Sequence, residues 1–331
     1  MNQLHNAFTL FMSLLVEAIP FLLLGVLLSS CLLLFVDERK LITYLPRNPI
    51  LGALIGSCVG FLFPVCECGN VPVARRLLMQ GVPTSVAIGF LLAAPTINPI
   101  VVWSTWVAFR DQPEIVLWRI IFSLAIATIL GCIFSVQKDT RPLLQPILAK
   151  RINFLMTEKA QTNKLALLQS GTFILGEPGK PLKLDEKITQ ISPKLTVKQK
   201  LFPLVNNISQ ELRELGGMLI LGSAIAAFIQ VFVPREIVLS LGQGNITSIL
   251  AMMLLAAVVS ICSTVDSFFA LSFASTFTTS SLLAFLVFGP MIDIKAIGLL
   301  FSIFQPRMII YLFALAAQLT FIFTLGYSYF A

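Results

Sequence analysis

Phe63-Pro-Val-Cys-Glu-Cys-Gly-Asn-Val-Pro72 gathers two thiols one residue apart, a carboxylate and an amide inside one proline-bounded bend. Thiolates select soft metals and metalloids, so Cys66 and Cys68 are candidate ligands for a thiophilic solute or a metal ion. Without a second Cys pair or a nearby histidine they make a poor structural zinc site. The bland alternative is that both are small packing residues at a tight bend. The only histidine is His5, which excludes His-rich zinc sites and a Ser-His-Asp hydrolase. No Gly-x-x-x-x-Gly-Lys-Ser/Thr loop occurs, so this chain is not expected to hydrolyse ATP. Neither an enzyme nor a cofactor is expected.

Four carboxylates stand in or beside apolar sequence: Glu17, Glu67, Glu214 and Asp266. An acid in hydrocarbon is costly and usually faces a cavity or an ion path, so Glu17, Glu67 and Asp266 are candidates for ion or proton coupling. Glu17 and Glu214 can instead bond across a helix interface. Ala94-Pro-Thr-Ile-Asn-Pro-Ile100 and Gly289-Pro-Met-Ile-Asp-Ile-Lys295 are helix breaks that would present Asn98 and Asp293 where a helix restarts, a recurring way of building a solute site. The same residues can simply cap kinks. Asp293 and Lys295, two positions apart, do not share a helix face and should find separate partners. Arg75 and Arg76 can line a vestibule for an anion or snorkel to headgroups.

What must position these residues is a membrane fold. Of the 331 residues 57% are hydrophobic and 12% charged, about half the charge of a soluble domain, and the mean hydropathy is +0.90. Apolar runs long enough to span about 30 Å of hydrocarbon recur at 7–36, 90–109, 116–136, 218–233 and 309–330. The first has no convincing cleavage pattern and reads as a retained helix. The net charge of +7 lies wholly in one segment: from Gln137 to Lys200 there are twelve Lys/Arg against five Asp/Glu. A basic hydrophilic loop between apolar halves fits the cytoplasmic side of a bilayer, and without interleaved aromatics it does not point to nucleic acid.

The two apolar halves resemble each other. Glu17-Ala-Ile-Pro-Phe-Leu-Leu-Leu-Gly25 aligns with Glu214-Leu-Gly-Gly-Met-Leu-Ile-Leu-Gly222, and Phe90-Leu-Leu-Ala-Ala-Pro95 with Phe285-Leu-Val-Phe-Gly-Pro290. Cys66 and Cys262 correspond within one residue, as do Asn98 and Asp293, so Cys262 is a third candidate ligand. The division expected is a first transmembrane repeat over 1–136, a basic linker over 137–200 and a second repeat over 201–331. Each repeat should contain a long helix, a shorter apolar stretch, a broken segment and a closing helix. This is an all-α polytopic fold with about eight transmembrane helices, ten being the upper count. Four crossings per half with a re-entrant hairpin are the favoured count; an even number makes the repeats parallel and an odd number inverts them. Paired interruptions at matching positions mark a transporter's binding site.

These residues resemble the permease family that contains the ArsP organoarsenical efflux permeases and the YraQ-type proteins. The first-half pattern is met at Pro64, Cys66, Cys68, Gly69, Pro72, Gly81, Pro83, Phe90, Leu91, Ala93, Pro95 and Pro99. The second-half pattern is met by Cys262-Ser-Thr-Val-Asp266 and by Phe285 through Lys295. The resemblance implies a multi-pass permease of the bacterial cytoplasmic membrane and, for the ArsP branch, efflux of trivalent organoarsenicals on cysteine thiols. Glu67 stands where a small residue such as Ser is expected, which opens the reading to a cationic soft metal. The expected partners are the bilayer and a small solute, moved by secondary transport, with a homo-oligomer left open. The competing reading is a non-transporting anchor or subunit of a larger complex.

Overall fold

The computed structural model describes residues 2–35, 46, 48–63, 66–135, 144–145, 197–232 and 244–330. They form twelve helices: α1 (Asn2–Phe35), α2 (Pro49–Gly60), α3 (Glu67–Met79), α4 (Thr84–Ile97), α5 (Pro99–Ala108), α6 (Glu114–Ser135), α7 (Val197–Phe232), α8 (Asn245–Val259), α9 (Asp266–Leu271), α10 (Thr279–Met291), α11 (Ile294–Leu300) and α12 (Pro306–Phe330). The all-α polytopic class expected from composition is what the chain adopts. Among the described residues six stretches are long and apolar enough to cross a membrane: Leu4–Cys31, Thr84–Ala108, Glu114–Ser135, Ile208–Val231, Thr279–Leu300 and Pro306–Phe330. Two shorter apolar helices, α2 and α8, accompany them. At 1.5 Å per residue the 12-residue α2 is about 18 Å long, short of the hydrocarbon thickness.

The centre is built on α4 and α10, which pack against each other. Every residue of α4 is buried. Around α4 lie α2, α3 and α6; around α10 lie α8, α9 and α12. The close approach of α2 to α4 depends on glycine. Gly52, Gly56 and Gly60 recur every fourth residue and so face one way, and a Cβ added at Gly60 would sit 2.8 Å from the Cα of Ala94. In lipid, where apolar surface gives helices no reason to prefer each other over acyl chains, such backbone-to-backbone contact is a main source of association.

On the outside α1 and α7 pack against each other in opposite directions. Ser29, late in α1, donates its hydroxyl to Glu211 early in α7 at 3.2 Å, while Leu14 clusters with Ala226 and Ala227 late in α7. Their remaining faces expose Val16, Leu23, Leu221 and Phe228, side chains suited to acyl chains and not to water.

Helix α7 begins at Val197, ahead of the expected boundary at 201, because Val197-Lys-Gln-Lys200 supplies good helix formers. Of the linker over 137–200, only Leu144, Gln145 and this first turn are described, so its cytoplasmic placement lies outside the described residues. Buried Leu144 pairs with Phe304, and the Gln145 amide donates to the Ile303 carbonyl at 2.8 Å, which ties this point of the chain to the turn between α11 and α12.

Candidate functional site

Both thiol-bearing bends end where a helix restarts. Cys66 caps α3 in extended backbone, and its carbonyl accepts from the amides of Gly69 and Asn70 at 3.0 and 3.2 Å. The Cys262 carbonyl likewise accepts from Val265 and Asp266 at 2.9 and 3.1 Å. In each case the first residue of the new helix is an acid, Glu67 of α3 and Asp266 of α9. Pro64 and Val65, on the approach to the first bend, lie outside the described residues.

The fold brings two of the three candidate thiols and one acid together. Cys66 and Cys262, far apart in the chain, bring their thiols close together. Their sulfurs and a Glu67 carboxylate oxygen all lie within 4.8 Å of one another, and all three residues are buried. Thiolate and carboxylate donors bind a zinc-like ion at about 2.0–2.3 Å, so donors on opposite sides of one ion stand up to about 4.6 Å apart. The set needs only a small contraction to share one soft ion. Cys68 is also buried, but it is not one of these three.

A lysine faces this set. Lys295, on the first turn of α11 and 1% exposed, holds its Nζ 3.9 Å from Glu67 Oε1. It also lies in the field of Asp293, Cys68 and Glu17. The other Glu67 oxygen has no hydrogen-bond partner, and beside Glu67 is a cavity of about 10 Å³ enclosed by apolar side chains of α3, α4, α10 and α11. That is room for roughly one water. Glu17 is half-buried on α1.

Asp293 and Asn98 play matching parts at the two breaks. Asn98 Oδ1 accepts from the Val101 amide at 2.8 Å at the start of α5, and Asp293 Oδ1 accepts from the Ala296 amide at 2.5 Å at the start of α11. Both are N-caps in extended backbone, so the capping alternative is met at each. Asp293 has more to offer than a cap, because its second oxygen is buried without a hydrogen-bond partner.

Asp266 is placed differently from Glu67. Its Oδ2 accepts from Arg119 Nη2 at 2.7 Å and its Oδ1 from Nη1 at 3.3 Å. The same Nη1 donates to Thr105 Oγ1 at 2.8 Å and to Ser267 Oγ at 3.0 Å, and Ser267 donates to Asp266 Oδ1 at 3.1 Å. This network joins α9 to α5 and α6. The sequence reasoning passed over Arg119. The signal that finds it is a lone arginine inside the 22-residue apolar helix α6, since a charge at that depth needs a partner. Arg75, too, is buried: its Nη2 pairs with Glu214 Oε2 at 2.7 Å, linking α3 to α7. The cross-helix bond that was one of two readings for Glu214 is therefore made, and Arg75 and Arg76 do not reach out to a headgroup region as exposed side chains.

The pairings cross over. The acid that opens α3 meets the cation of α11, and the acid that opens α9 meets the polar side chains of α5 and α6. The predicted permease family ArsP_1 matches residues 3–329. The chain belongs to this permease family. The permease is 38% identical over 301 residues to the UPF0718 protein YcgR of Bacillus subtilis strain 168, covering 91% of this chain and 90% of that protein. It is 34% identical over 309 residues to a protein of Streptococcus mutans serotype c, named as a candidate subunit of a two-component membrane permease complex, covering 93% and 90% respectively. No solved structure matches the permease significantly. Family membership and six candidate spans make it a multi-pass cell-membrane protein.

Proposed function

We propose that this permease carries a small thiophilic solute, a trivalent arsenical or a soft metal ion, by secondary transport through a site formed by Cys66, Glu67 and Cys262. The observation that carries the reading is the convergence of two thiols and a carboxylate, all buried, within 4.8 Å at paired helix breaks. Soft thiolates with one hard oxygen suit a soft cation or a metalloid better than magnesium or calcium. Thiols release their protons when they bind a metal, which gives a direct route to proton-linked exchange. Cys68, also buried, is a reserve thiol in this reading. Glu67 and Asp293, each with an unpartnered oxygen, are the coupling acids in this reading, with Glu17 in range. Asp266, saturated by Arg119, serves to hold α9 in place.

The halves 1–136 and 201–331 are, in the same proposal, inverted repeats. The corresponding long helices α1 and α7 run in opposite directions, and three of the six long spans fall in each half. An odd number of crossings reverses the second copy, the arrangement that lets one site face either side of a membrane in turn.

Uptake of trivalent arsenicals, cadmium and zinc into everted vesicles tests the reading. Transport present in the wild type and absent in the Cys66→Ser/Cys262→Ser variant is the expected result. Transport indifferent to both thiols would return them to packing. A second reading is favoured by the name of the Streptococcus mutans relative: the permease is one subunit of a complex, with the basic linker as its docking segment. Deleting 140–198 then abolishes function while leaving solute binding by the thiols intact.

A further inference from the structure

We propose that Lys295 is a tethered cation: in the empty permease its ammonium fills the positive position of the Cys66–Glu67–Cys262 site, and an entering soft cation displaces it toward the free oxygen of Asp293. This inference rests on the site reading given above.

Charge arithmetic motivates it. Lys295 stands among the carboxylates of Glu67 and Asp293, with Glu17 in range, and nothing else in the described part of this cluster supplies a positive charge. A nearly completely buried ammonium in a membrane protein needs an anionic seat. The seat it occupies is loose. At 3.9 Å from Glu67 Oε1 it is close enough to be an ion pair and too far to be a hydrogen bond. A second seat lies within its field: Asp293 spends one oxygen on the Ala296 amide and keeps the other, buried, without a partner.

The backbone beneath the lysine is held, while its ammonium makes the long 3.9 Å contact to Glu67 Oε1. Asp293 caps α11 just ahead of it, and the backbone of Lys295 and Gly298 packs so closely on Gly222 of α7 that a Cβ at Gly222 would sit 3.3 Å from the Lys295 Cα. What remains mobile is a four-carbon stem carrying a point charge with rotatable donors, which suits exchange between seats better than a rigid guanidinium. An ion bound to Glu67 and the ammonium of Lys295 would share one carboxylate, and two cations at that separation in a weakly screening interior repel strongly. Binding of one therefore expels the other. In the empty carrier one lysine serves two acids, whereas in the loaded carrier the solute balances Glu67 and the lysine balances Asp293, so binding supplies the cluster's missing cation.

The test is binding of cadmium ion to the full-length permease in lipid nanodiscs, comparing wild type, Lys295→Met, Lys295→Arg and Cys66→Ser/Cys262→Ser. Displacement predicts that Lys295→Met binds cadmium on the order of tenfold tighter than wild type, and that Lys295→Arg binds more weakly because its charge stays fixed on the carboxylate. A folding defect would move both variants the same way, so opposite signs are diagnostic. Thiol-dependent binding that is equal or weaker in Lys295→Met overturns the tethered cation and leaves the site. Binding that is absent, or unchanged in the double-serine variant, overturns the site reading and the inference with it.

Discussion

Among the described residues two buried ion pairs join the first half of the chain to the second, and they are built to different standards. Between Arg119 and Asp266 the shortest contact is 2.7 Å, and Thr105 and Ser267 close the network around them. Between Lys295 and Glu67 the distance is 3.9 Å, one Glu67 oxygen is unpartnered, and a water-sized cavity adjoins it. An acid with both oxygens bonded, as Asp266 has, is fixed in one arrangement, whereas one with a free oxygen, as Glu67 has, leaves room for a further partner. The contrast separates a fixed pairing from a loose one, although the two acids occupy corresponding places at the starts of α3 and α9.

The contrast breaks most sharply on stability. Asp266→Ala leaves Arg119 charged and alone in the core, and should lower the stability of the detergent-solubilised protein by about 3–5 kcal/mol, read as a large drop in thermal midpoint. An Arg119→Met/Asp266→Leu double variant should recover most of that loss; if it does not, the network does more than brace. Glu67→Gln should behave in the opposite way. It removes an incompletely paired charge, so the midpoint should move little, while cadmium or arsenical transport falls by tenfold or more. A midpoint loss as large as that of Asp266→Ala would erase the distinction between the pairs.

Smaller effects sharpen it. Asn98→Ala removes only a cap and should cost about 0.5–2 kcal/mol. Asp293→Ala removes a cap and the proposed second seat of Lys295, so it should match Asn98→Ala in stability and exceed it in transport defect. Equal transport in the two variants would reduce Asp293 to its cap. Smallest of all, Cys68→Ser should leave stability and cadmium affinity within about twofold of wild type, whereas Cys66→Ser should not. Mild oxidation should then join residues 66 and 262, seen by peptide mapping, and fail to join 68 and 262.

Much of this was legible in the chain. Hydrocarbon thickness dictates long apolar runs, so the helical membrane class follows from composition; the count does not, since about eight crossings are expected and six described helices are long enough to span, with two shorter ones beside them. Proline and polar residues interrupt those runs at Pro95-Thr-Ile-Asn98 and Pro290-Met-Ile-Asp293, so the breaks and their capping residues can be read as well. Other parts were hidden because they depend on separation in space. Arg119 has no motif around it and becomes meaningful only when Asp266, 147 positions away, turns up against it. Lys295 and Arg75 likewise acquire their partners, Glu67 and Glu214, from other helices.

By itself the sequence determined that the chain is a helical membrane protein and that thiols and acids gather at the interruptions. These are properties of local pattern: how long an apolar run is, where a proline removes a donor, which residue can cap the next turn. Only the tertiary structure decided that Cys262, and not Cys68, meets Cys66 together with Glu67, and that one acid is saturated while its counterpart keeps a free oxygen. A side chain's chemistry in a low-dielectric interior is set by the few groups within a few ångströms of it, and which groups those are depends on how the helices cross.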